Sequence, residues 1–131
     1  MTGLVVAAHA GLADELIKAA EMIVGKLENV AAVGINPEDS VESIRNSLTG
    51  AMETVSAQNI IIMTDMFGGT PANMSLSFLK EGHIEVLTGV NLPMIIKFFS
   101  DRDRYEVSEL AAQIRNAGKE AVAVAGDYLK K

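Results

Sequence analysis

The stretch from Ile60 to Ser75, I-I-I-M-T-D-M-F-G-G-T-P-A-N-M-S, constrains the fold of this chain more than any other. An apolar run, Ile60 to Met63, stops at the polar pair Thr64-Asp65. A glycine pair, Gly68-Gly69, and Thr70-Pro71 follow, and then a helix-like pattern. A strand buried on both faces needs helices above and below it. A strand that ends in a carboxylate, a glycine-rich turn and a new helix N-terminus is how α/β proteins build sites.

The rest of the chain repeats that alternation. Leu4 to Ala8 is a short apolar run closing on His9-Ala10-Gly11. Apolar residues at 12, 16, 19, 20, 23, 24 and 27 keep helical spacing from Leu12 to Leu27. Asp14 and Glu15 fall in the first turn, where the helix dipole favours acids. Val30 to Ile35 reads as a second strand, and Asn36-Pro37-Glu38-Asp39 is turn chemistry. Ser40 is a candidate N-cap for a helix whose buried stripe is Val41, Ile44, Leu48, Met52 and Val55. Asn59 to Thr64 is the third strand. A third helix starts near Pro71 and is expected to reach about Lys80, with Gly82 as its stop. Ile84 to Thr88 is a fourth strand, and Gly89-Val90-Asn91-Leu92-Pro93 turns the chain into an apolar helix, Met94 to Phe99. After a charged loop, Val107 to Ala117 is helical, with Gly118 expected to end it. Ala121 to Ala125 is a fifth strand candidate, followed by a polar tail from Asp127 to Lys131.

This order implies an α/β fold: a doubly wound, mostly parallel sheet with helices on both faces. The last strand follows helices without a clean crossover, so it reads either as an antiparallel edge or as a strand paired with another subunit. A length of 131 residues fits one domain, 1–131, with a sizeable core.

Composition narrows the function. Hydrophobic residues make up 49%, with mean hydropathy +0.24, yet no apolar run approaches the ~18 residues of a membrane span. No basic segment precedes the first apolar run, so no signal peptide is expected. The absence of cysteine excludes disulfides and thiolate chemistry and suits a reducing cytoplasm. A net charge of −6 argues against non-specific nucleic-acid binding and is compatible with a basic protein partner. Two histidines without cysteine make a transition-metal site a poor fit, and no cofactor is expected.

Sites in open α/β sheets lie beyond the carboxyl ends of the strands, where strand order reverses. If strands one and three flank that reversal, His9 and Asp65 face each other. Gly11 and Gly68-Gly69 then allow backbone to approach a ligand closely, and Thr70 stands at a helix entrance that favours an anion. A carboxylate that accepts one ring N–H fixes the imidazole tautomer and leaves the other nitrogen as a nucleophile. With glycine amides and a threonine nearby, a phosphoryl group is the electrophile that fits best. Each element also has an ordinary reading. A lone strand-end histidine is usually a hydrogen-bonded surface residue, Asp65 alone caps a turn, and Gly68-Gly69 alone marks one. G-G-T-P lacks the G-K-[ST] ending of a nucleotide-binding phosphate loop. Asn73 either lines the site or sits on a helix surface, His83 reads as a surface turn residue, and the seven methionines read as core fillers.

Three segments together resemble a known family: A-A-H-A-G-L-A at 7–13, T-D-M-F-G-G-T-P-A-N at 64–73 and T-G-V-N-L-P-M at 88–94. In order, spacing and length the chain resembles the IIA component of the mannose-type (mannose–fructose–sorbose) sugar phosphotransferase system. The resemblance implies that His9 accepts a phosphoryl group from the phosphocarrier HPr and passes it to a IIB component, which serves a membrane IIC/IID complex. It implies that Asp65 orients His9, and that Thr70 and loop amides (Gly11, Phe67, Gly68 and Gly69 supply the loops) contact the phosphate. It also implies strand order 2-1-3-4 and a fifth, antiparallel strand exchanged in a homodimer. The family often carries glycine after the histidine, where this chain has Ala10. Other readings are the phosphoryl-donor subunit of a dihydroxyacetone kinase system, a nucleotide- or flavin-binding module, and a regulatory domain without activity. Phe67 is the only aromatic in the central loop, which leaves a flavin little to stack on.

Overall fold

The computed structural model describes residues 1–129. Four strands, β1 (Gly3–His9), β2 (Val30–Ile35), β3 (Ile60–Thr64) and β4 (Ile84–Thr88), form one parallel sheet in the order β2-β1-β3-β4. The central strands are apolar up to their last residues, His9 and Thr64, as strands covered on both faces require. Leu4 to Ala8 and Ile61 to Met63 are wholly buried. On one face, α1 (Leu12–Val24), α4 (Leu92–Asp101) and α5 (Val107–Glu120) pack against Leu4, Val6, Ile61 and Met63 through Ala20, Ile95, Phe98 and Ile114. On the other, α2 (Val41–Val55) and α3 (Thr70–Leu76) cover Val5, Ala7, Ile60 and Ile62, with Ile44, Leu48 and Val55 as the α2 stripe. The doubly wound parallel sheet expected from the sequence is therefore present, and its order reverses between β1 and β3.

Local chemistry sets the helix ends. Ser40 caps α2 by accepting the Ser43 N–H at 3.0 Å. Asn91 caps α4 by accepting the Met94 N–H at 3.1 Å, so α4 begins two residues before the expected Met94 and continues past Phe99. The third helix is shorter than expected, ending at Leu76. Gly118 does not end α5, which runs on to Glu120. The glycine is there for packing: a Cβ at 118 would come within 2.6 Å of Met94 Cγ, and the Gly118 carbonyl accepts the Asn91 side-chain amide at 3.1 Å.

The expected fifth strand is not a strand within the chain. Ala121 closes the last turn of α5, residues 122–124 belong to no helix or strand, and Ala125–Leu129 form a 3-10 turn. A strand exists only against a partner's ladder, and among the described residues β3 is the one strand beside β4, with Lys80 bridged to Ile84 at its start. The last two residues of the expected polar tail, 130–131, lie outside the described residues. Methionine is not uniformly a core filler either: Met63 and Met94 are buried, whereas Met22 is 88% exposed. His83 does sit in an exposed turn, with Nδ1 3.0 Å from Asn59 Oδ1.

Candidate functional site

Parallel strands in register bring the two residues of interest together. Ala7 lies opposite Thr64, so His9 and Asp65 leave adjacent strands at the same edge. One carboxylate oxygen, Asp65 Oδ2, accepts the His9 backbone N–H at 3.0 Å and lies 2.7 Å from the ring nitrogen Nδ1. The other, Oδ1, accepts the Met66 N–H at 3.0 Å. The carboxylate is thus held from both sides before it touches the ring. Partial burial pushes the Asp65 carboxyl up. The two hydrogen bonds from His9 and its charge outweigh that and leave Asp65 below the usual carboxylate value. An ionised carboxylate can only accept, so Nδ1 carries the proton and, in the neutral ring, Nε2 holds the lone pair. The His9 side chain is 49% exposed and that of Asp65 is 13% exposed. The arrangement is an imidazole half open to solvent and a carboxylate withdrawn behind it.

The loop after β3 lies against the ring. A Cβ at Gly69 would meet His9 Cε1 at 3.1 Å and Met66 Cγ at 3.3 Å. The residue therefore has to be small for the ring to sit where it does. Gly69 also N-caps α3 in an extended conformation, with Pro71 in the first turn. The first amides of that turn have no intrahelical partner. Thr70, on the same turn, lines a cavity of about 300 Å³ with His9. Gly68 holds φ +84, a conformation that glycine adopts cheaply, and its carbonyl lies 3.4 Å from Asn73 Nδ2. Of the two readings for Asn73, the exposed helical position is the one found, with its side chain tying the loop.

Of the candidates, the structure thus gathers His9, Asp65, Gly69 and Thr70 around one imidazole. Gly11 caps α1 behind the turn, and Phe67 stands 75% exposed at the loop tip. A Cβ at Gly11 or Gly68 would find nothing within 4 Å, so these glycines face open space rather than the ring. The sequence reading missed the other wall of the cavity, made by Ala10, Ile35, Asn36, Pro37, Asp39 and Ile44. The signal was the N-P-E-D turn after β2, which a doubly wound sheet brings to the same edge as His9. Among the described residues, no group of three or more His, Asp or Glu side chains is placed to hold a metal ion. No helix among them is long and apolar enough to cross a membrane.

A doubly wound sheet of this order is an architecture with known relatives. Residues 3–115 match the family model described as PTS system fructose IIA component, and the chain belongs to this mannose-type IIA family of the phosphotransferase system. It is similar to the sorbose-specific EIIA component of Lacticaseibacillus casei, with 28% identity over 118 residues, covering 89% of this chain and 86% of that protein. It is 30% identical over 122 residues to the mannose-specific EIIAB component of Escherichia coli strain K12, covering 91% of this chain but only 38% of that longer protein. Among solved structures, it is similar to the PTS IIA protein associated with the fucose utilization operon of Streptococcus pneumoniae. That match has a TM-score of 0.85 and 27% identity and covers 98% of this chain and 96% of that one.

Proposed function

We propose that this IIA component is a phosphohistidine carrier that takes a phosphoryl group from HPr onto His9 and delivers it to a IIB component for sugar uptake. The observation that carries the reading is the 2.7 Å contact between His9 Nδ1 and Asp65 Oδ2, which engages Nδ1 and leaves Nε2 as the nucleophile on a half-exposed ring. In the first transfer, the Nε2 lone pair attacks the phosphorus of the phosphohistidine donor. The new N–P bond forms as the donor N–P bond breaks, and that bond's electron pair returns to the donor imidazole. The Nδ1 proton stays between ring and carboxylate, where Asp65 stabilises the positive charge that the phosphorylated ring acquires. The second transfer repeats these steps with IIB as acceptor. Gly69, Thr70 and the open amides of the following turn are suited to receive the phosphate oxygens, with Gly11, Phe67 and Gly68 framing the approach. No cofactor is required, because in-line placement and charge stabilisation carry such a transfer.

The test is phosphate incorporation from phosphoenolpyruvate in the presence of enzyme I and HPr. An acid-labile, base-stable label on the unmodified chain, absent in His9→Ala, is expected; a label that survives His9→Ala sinks the assignment. Phosphorus NMR of the labelled protein should place the phosphate on Nε2.

The carrier is further proposed to act in the cytoplasm as a homodimer in which the segment from Ala121 pairs antiparallel to β4 of the partner. Two facts support this: among the described residues no strand lies on the outer side of β4, where only Ile84 is bridged, to Lys80, and Val122 and Val124 are 78% and 69% exposed. Truncation after Glu120 should yield a monomer by sedimentation, and a truncated chain that remains a stable dimer refutes the exchange.

A further inference from the structure

One glycine outside the site loops sits where no side chain could. Gly34, on β2, lies opposite Ala8 in the register. A Cβ there would stand 2.5 Å from the Ala10 carbonyl oxygen, closer than any real Cβ contact. We infer that Gly34 is a positioning residue for His9, acting through the Ala10 peptide; this rests on His9 being the phosphoryl acceptor.

His9 is clamped from two sides. From β3, Asp65 Oδ2 takes both its backbone N–H and its ring nitrogen. From β2, the chain just past His9 is held by the Ala10 N–H, which donates to the Ile35 carbonyl at 2.9 Å. The Ala10 carbonyl occupies the space that Gly34 leaves empty. Ala10 itself has φ 51, in the left-handed region. With a Cβ, it has only a narrow well there, so its peptide cannot swing aside at low cost. A methyl group at 34 must therefore either break the Ala10–Ile35 hydrogen bond or carry His9 off its alignment with Asp65. Displacement of a reacting group by about 1 Å costs on the order of 100-fold in rate.

Gly34→Ala separates this from a general weakening of β2. His9 should be phosphorylated at least about tenfold more slowly, per folded molecule, by both HPr and the small donor phosphoramidate. The nitrogen resonances of its imidazole should move even with no phosphate present. Adding Ala10→Gly frees the peptide to turn away, so Ala10→Gly/Gly34→Ala should regain rate and ring resonances. Gly34→Ala with an unmoved ring and unchanged rate overturns the proposal. So does a double variant that stays slow or unfolded. If the unmodified chain takes phosphate from neither donor, the carrier reading fails instead, while the ring resonances still report whether Gly34 positions His9.

Discussion

At one end of the sheet a cation is buried; at the other a histidine stands half in solvent. Arg102, just past α4, is 6% exposed. Its Nε and Nη2 donate to the Thr2 carbonyl at 3.1 and 2.6 Å, and its Nη1 donates to the Glu28 carbonyl at 2.8 Å. The guanidinium also lies 4.7 Å over the Phe98 ring. It thus ties the entries of β1 and β2 to the end of α4. Burial pulls its pKa down, offset in part by Asp103 and Glu28, but a guanidinium stays charged. Next to it, the buried Asp101 is held below the usual carboxylate value first by its hydrogen bond from Lys97, at 2.9 Å. At the opposite end, His9 and Asp65 form one short contact in partial solvent, on a turn that includes a left-handed alanine. The difference teaches where this fold invests its polar groups. The amino end of the sheet uses them to hold the chain together. The carboxyl end leaves them accessible.

That contrast predicts separable effects. Arg102→Ala leaves the Thr2 and Glu28 carbonyls without their charged donor and opens a gap over Phe98. It should cost about 3 kcal/mol in denaturant unfolding, with phosphotransfer per folded molecule unchanged. A comparable loss of transfer rate would mean that the two ends are not independent. Asp65→Asn keeps an acceptor oxygen but loses the charge, and should slow transfer about 100-fold in rapid-quench measurements while the fold persists. The same variant has a pH signature. The folded-state values of Asp65 and Asp101 lie below the ordinary 3.8, so the stability each adds is fully present above that value. It is lost as pH falls through the lower folded-state value. Asp65→Asn should therefore make stability less steep in pH below about 4, leaving the share of Asp101; an unaltered acid-unfolding curve would remove Asp65 from that linkage. Gly69→Ala should show the smallest effect. Its backbone tolerates a Cβ, but the methyl group would press on His9 at 3.1 Å. About a tenfold loss of transfer with little change in unfolding midpoint is expected. A larger loss of stability than of rate would place Gly69 with the scaffold instead.

Much of the architecture was legible in the sequence because its signals are local. Short apolar runs alternating with helical periodicity specify buried parallel strands, and Ser40, Asn91 and Pro71 mark helix starts through hydrogen bonds within a few residues. His9 and Asp65 could be paired from topology alone, since a doubly wound sheet brings the ends of β1 and β3 together. What stayed hidden depends on contacts across the chain. Gly118 reads as a helix stop until Met94 is seen against it, and Gly34 reads as an ordinary strand residue until the Ala10 carbonyl is seen beside it. Arg102 looks like one of several loop charges until its carbonyl partners, up to 100 positions away, bury it. Ala121–Ala125 has a strand's composition but no ladder in its own chain, because strand pairing belongs to a neighbour and not to a segment. The sequence by itself determined the order of elements and the chemical types at the switch point, since periodicity and residue chemistry are carried one residue at a time. Only the tertiary structure decided which nitrogen of His9 is held, which glycines are compelled by close approach, and which charge is buried. Those are properties of distances between residues far apart in the chain.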